Sequence, residues 1–197
     1  MSKKVGVGVR IAGGFAITAG VIIGIICLFG LGVVVFNHIN MTRNSNELSA
    51  RFLPAFNDVN SGLDGKFSYK GSRLNVSANS AKYYLEYSGG EDEFAEDSIA
   101  FFNKLRSGKY GEELFNESYN TIKIKSPSHS LTFNFDRFSS GPHPTVITDV
   151  ICDYSMFEGL DGISKLNVDM TDFTAEQKEY ARAFADKCSF KIELWNE

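Results

Sequence analysis

Three cysteines in 197 residues exclude a disulfide-stapled scaffold, and four prolines are too few for a proline-rich linker. Repeats and low-complexity tracts are missing. So are the signatures of catalysis: no GxSxG, HExxH, Walker or dinucleotide-binding glycine pattern occurs. The three histidines, His38, His129 and His143, have no Cys, Asp or Glu at a metal-ligand spacing. No catalytic, cofactor-binding or metal-binding residue is therefore expected, and no cofactor.

What the chain does have is one long apolar run. No charged side chain occurs from Ile11 to Phe36, with Lys3, Lys4 and Arg10 before it and Arg43 after it. At about 1.5 Å per residue the run covers roughly 39 Å, against about 30 Å for the hydrocarbon core of a bilayer. It exceeds the roughly 7 to 15 apolar residues of a cleaved signal peptide, and no small-residue cleavage site follows it. The run predicts an uncleaved signal anchor. The expected order is a cytoplasmic tail over 1–10, a transmembrane helix over 11–36, a juxtamembrane amphipathic stalk over 37–62 and an exported domain over 63–197. That domain is periplasmic if the source is bacterial.

Within the run, Ala12, Ala16, Gly20 and Gly24 recur every fourth residue. Small residues at that spacing let helix backbones approach closely in lipid, so these four are the expected helix-packing interface. The partners it implies are other transmembrane subunits or a second copy of the chain, with membrane lipid around them. Three of the 20 basic residues precede the run and all 24 acidic ones follow it, so the remainder carries 17 against 24, a net of −7. Such a surface repels phosphate backbones, and nucleic acid is not an expected partner. Cys27 lies in the run, which leaves Cys152 and Cys188. In an oxidising compartment they either close a disulfide or stay two separately buried thiols.

The remaining chain alternates between two periodicities. Leu48, Phe52, Phe56 and Val59 fall at helical spacing, with Pro54 expected to kink or restart that helix. "KFSYKGSRLNVS" reads as a hairpin turning at Gly71-Ser72, and "AKYYLEYSGG" as a further strand or a helix start. "EDEFAEDSIAFFNKLRSG" is a helix with its acids in the first turn, where the dipole favours them. "TIKIK" and "SLTFNFDRF" form a second hairpin across "SPSH", and "TVITDVICDY" a central strand. Thr174 and Gln177 make a capping box for a second main helix, and "SFKIELW" closes the chain as a strand with Phe190, Ile192 and Leu194 inward. The sum is an α+β domain: an antiparallel sheet carrying two main helices.

Three features invite a functional reading. Asp149 and Asp153 bracket Cys152, but on a strand the two carboxylates start roughly 13 Å apart and the thiol points the other way, which suits neither a metal nor an acid pair. Tyr83, Tyr84 and Tyr87 either line a pocket or fill a sheet core. "SSGPHPTV" is a restricted loop, either a recognition tip or a tight connection.

The first part of the chain also resembles the start of methyl-accepting chemotaxis receptors. The matching residues are Gly14-Phe15, Ile39-Asn40 and Arg51 to Ala55, and "YYLEYSGGEDEFAEDSIAFFNKL" is similar to a second sensor helix. The resemblance implies a membrane-anchored helical sensor, and it stops at Thr121, where strand periodicity takes over. Two main readings follow. The first is a non-catalytic, single-pass accessory or assembly subunit of a membrane complex. The alternative is a membrane-anchored extracytoplasmic ligand sensor, and an exported enzyme stands third.

Overall fold

The computed structural model divides the chain into two units, Met1–Arg43 and Asn44–Glu197. The residues it describes are 30–31, 44–107, 111–115, 119–136 and 144–196. The second unit begins with a helix over 44–61, α1. It continues through β1 (Phe67–Asn75), β2 (Ser80–Tyr87), α2 (Phe94–Ser107), a short α3 (Gly111–Leu114), β3 (Tyr119–Lys125), β4 (Ser130–Asp136) and β5 (Pro144–Thr148). A 3-10 segment (Tyr154–Gly159), β6 (Lys165–Asp169), α4 (Ala175–Ala185) and β7 (Lys191–Trp195) complete it.

The seven strands form one sheet whose spatial order is the chain order, β1 to β7. It is mixed, which corrects the antiparallel expectation. β1–β2, β3–β4 and β4–β5 run antiparallel, whereas β2–β3, β5–β6 and β6–β7 run parallel. The cause lies in the connections. A tight turn reverses the chain, but α2, the 3-10 segment and α4 each carry it back to the starting end of the sheet, so the next strand points the same way.

Helices α1 and α2 lie on one face. The inward row Tyr83, Ile122, Phe133, Val146, Leu166 and Ile192 runs in register across β2 to β7. On that row Phe52 of α1 stacks on Tyr83 with centroids 4.2 Å apart, and Phe102 of α2 stacks on Phe133 at 4.4 Å. Phe101 joins the layers, 4.7 Å from Phe67 and 5.9 Å from Phe56. The other face presents Tyr84, Lys123, Thr132, Ile147, Asn167 and Glu193 in the same register.

Three local details differ from the sequence reading. β1 is a single strand: Gly71, at φ 138°, forms a bulge between Tyr69 and Gly71, and the turn comes later, at 76–79. β5 ends at Thr148, so Asp149, Cys152 and Asp153 leave the sheet. β6 has no counterpart in the reading at all. Helix α1 does bury Leu48, Phe52, Phe56 and Val59 as spaced, with Ala55 beside them. It stays helical on both sides of Pro54 because Pro54 and Ala50 are exposed, so the Ala50 carbonyl that proline leaves unbonded faces solvent.

The membrane assignment also needs correcting. Among the described residues no helix is long and apolar enough to cross a membrane. Helix α2, with 14 residues, reaches only about 21 Å at about 1.5 Å per residue, short of the roughly 30 Å required. Helix α1 carries Glu47, Arg51 and Asp58, and its apolar face is taken up by the core. The expected span over 11–36 lies outside the described residues apart from Gly30 and Leu31. The described residues thus give no support to the single-pass, signal-anchored, exported placement or to its periplasmic location.

Candidate functional site

Ligand sites in sheets with parallel strands gather at the strands' carboxyl ends, in the crevice where connections leave in opposite directions. Here the strand order never reverses, so every crossover leaves the same way and that crevice does not form. The polar residues at this edge bond to each other instead. The Ser126 hydroxyl donates to Glu91 Oε2 at 2.8 Å and accepts from the His129 amide at 2.9 Å. Asp149 accepts from the Ser130 amide at 2.7 Å and its hydroxyl at 3.2 Å, with His129 Nδ1 3.6 Å away. Ser126 meets the backbone of His129 and not its ring, so among the described residues the cluster holds no serine–histidine side-chain pair. It latches the β3–β4 turn to the end of β5.

Farther along this edge, Asp169 Oδ1 accepts from Thr171 N, Thr171 Oγ1 and Asn196 Nδ2 at 2.6–3.1 Å. These bonds hold its carboxyl below the usual range, the Thr171 hydroxyl contributing most. Asp153 caps the 3-10 segment by accepting from the Ser155 amide at 3.0 Å, and bonds from Ser155 hold its carboxyl low as well. Among the described residues no group of three His, Cys, Asp or Glu is placed to hold a metal ion.

Cys152 and Cys188 are both free, half-buried thiols close enough that a charge on the second bears on the first. Burial, then the neighbouring Asp153 and Cys188 charges, push Cys152 up to about 12, and burial raises Cys188 too. Both are thus protonated and poorly nucleophilic at neutral pH. The segments that carry them are tied by Glu158 Oε1, which accepts from Ser189 N at 3.2 Å and Ser189 Oγ at 2.8 Å. The tyrosines divide: Tyr83 is core, Tyr87 packs between Phe67 and Phe94 with its hydroxyl on Asp97 at 2.6 Å, and Tyr84 is exposed on the open face. The stripe of Ala12, Ala16, Gly20 and Gly24 lies outside the described residues, as do His38, His143 and most of "SSGPHPTV".

The surface that stands apart is the β7 end of the sheet. Ala181 is the only residue of α4 that is buried. Phe173, Phe184, Phe190, Ile192 and Leu194 reach the core but stay half-exposed, and Tyr180 and Trp195 are exposed at 40 % and 38 %. Beside them, β7 bonds only to β6 among the described strands, which leaves one line of its backbone groups unpaired within the sheet. Sequence reasoning placed Phe190, Ile192 and Leu194 inward, and alternation alone cannot tell how thickly the neighbouring helix covers that side.

No protein-family model, no curated protein and no solved structure matches this chain.

Proposed function

We propose that the chain is a non-catalytic accessory subunit of a protein assembly, held in place through the β7 and α4 end of its sheet. One observation carries this reading: an unpartnered strand edge lies alongside a core that does not close. Edge strands invite pairing unless they are bulged, very short or covered, and contiguous apolar surface rimmed by charge marks an interaction site. Lys187, Lys191 and Glu193 supply that rim. The polar clusters add support from the other direction, since their side chains are engaged in latches and caps that fix loops.

The test is native purification of the full chain at endogenous level, with its size and composition read by native mass spectrometry. Recovery at fixed stoichiometry, with itself or with other subunits, is the expected result. A free monomer would overturn the reading.

A further inference from the structure

The open edge of β7 carries its own complement, and we propose that two copies of the chain pair there, β7 against β7, antiparallel about Ile192. This rests on reading the β7 end as an assembly surface and names the partner. The Trp195 carbonyl accepts from the Met170 amide at 3.0 Å, toward β6. Successive residues of a strand turn their N–H and C=O to alternate sides, so Lys191 and Glu193 also face β6, while Ile192 and Leu194 turn theirs to the open edge.

A two-fold axis at Ile192 uses those outward groups. It sets Ile192 opposite Ile192, Phe190 opposite Leu194 and Lys191 opposite Glu193 of the second copy. The segment FKIEL alternates apolar and charged residues, with Lys191 and Glu193 of opposite sign at equal distance on either side of Ile192. Moving the axis one residue either way sets Glu193 against Glu193 or Lys191 against Lys191, and like charges directly opposed on adjacent strands destabilise the pair. The apolar pairs fall on the helix-bearing face, level with Leu166 and Val168, and cover the half-exposed Ile192 and Leu194. Such an interface is isologous and closes at two copies. It does not propagate, because the far edge differs: β1 is bulged between Tyr69 and Gly71, which breaks the regular spacing of its outward groups, whereas β7 pairs with β6 without a register shift.

Sedimentation velocity on the full chain tests this. The wild type is expected to dimerise with concentration. K191E and E193K each place like charges opposite one another twice, and each is expected to weaken the dimer about tenfold or more. Mixed one to one, the two variants restore opposite charges at both positions, and a heterodimer is expected to form. I192P, which removes an outward amide together with the partly buried Ile192 side chain, is expected to abolish pairing, whereas I192V, which keeps the amide and most of the side chain, is expected to retain it; the pair serves if either charge variant fails to fold. A wild type that is monomeric at every concentration, or a mixture no more dimeric than its parents, overturns the proposal. A chain monomeric alone yet recovered at fixed stoichiometry with different subunits would overturn self-pairing and leave the assembly reading standing.

Discussion

Over β1 to β4, two helices lay a continuous aromatic layer on the sheet, with Phe52, Phe101, Phe102, Tyr83 and Phe133 all fully buried. Over β6 and β7 a single helix buries one alanine and leaves five larger apolar side chains half-exposed. Both ends use the same device, an amphipathic helix returning the chain between parallel strands. They differ in how much the helix brings: α2 presents Phe94, Ile99, Phe101, Phe102 and Leu105 inward, whereas α4 presents Ala181. Hydrophobic burial scales with the apolar area removed from water, so the first end supplies stability and the second is left with surface to share.

The comparison breaks most sharply at Phe102. Phe102→Ala removes a ring stacked on Phe133 in a fully buried site, and is expected to cost about 3–5 kcal/mol in urea unfolding. Phe184→Ala, at the thin end, is expected to cost nearer 1 kcal/mol, in the ordinary range for point changes. Equal costs would remove the distinction between the ends. Next in size is Gly89→Ala. A methyl group there would meet the Tyr87 hydroxyl, which bonds Asp97 at 2.6 Å, while Asp97 in turn holds the Lys66 ammonium at 2.8 Å. Displacing that ring disturbs the junction of β2 with α2, at an expected cost of about 1–3 kcal/mol in the same assay.

Much of the thick end was legible in the sequence because local pattern decides it. The 3.6-residue spacing of Leu48, Phe52, Phe56 and Val59 and the period-two runs around Ile122 and Phe133 fix their own faces. The β1 bulge was not, since Gly71-Ser72 carries the same composition as a turn and only pairing with β2 separates the two. Strand β6 was missed because KLNVD is short: its alternation rests on two apolar residues, Leu166 and Val168, and nothing in its polar residues foretells that Asn167 is buried as well. Strand direction also escaped, because it depends on which end of the sheet each connection returns to. For the site, FKIEL gave the inward residues but not their exposure, which is set by the size of α4's side chains.

At the thin end effects should be smaller and more local. Thr174→Ala removes a capping box in which the Thr174 side chain accepts from Gln177 N at 3.3 Å and Gln177 Oε1 accepts from Thr174 N at 2.8 Å. The expected loss is about 1 kcal/mol, seen first as faster amide exchange in α4. Acid should loosen β7 in the same local way. Bonds from Lys165, then Lys191, hold Glu193 down to about 2 from an ordinary 4.5. The folded pKa is the lower one, so this contribution is complete above about pH 4.5 and is lost as pH falls toward 2. Exchange at β7 is expected to rise across that window, with E193Q showing no such rise.

The smallest expected change has the opposite sign and lies at the thick end. Ser98 sits fully buried on α2, whose Phe94, Ile99 and Phe102 are buried as well, and among the described residues its hydroxyl has no hydrogen-bond partner. Folding strips water from that hydroxyl and returns nothing, a cost of about 1–3 kcal/mol for a buried unsatisfied polar group. Ser98→Ala removes the cost, leaves a methyl group in nearly the same space and raises helix propensity by a few tenths of a kcal/mol. Part of the gain is offset by the volume of one missing oxygen in a close-packed layer. The net expectation is a gain of up to about 1 kcal/mol, read as a higher urea midpoint with an unchanged slope. A loss comparable to that of Phe184→Ala would mean that the hydroxyl is bonded in solution, and that the aromatic layer has a polar contact at its centre.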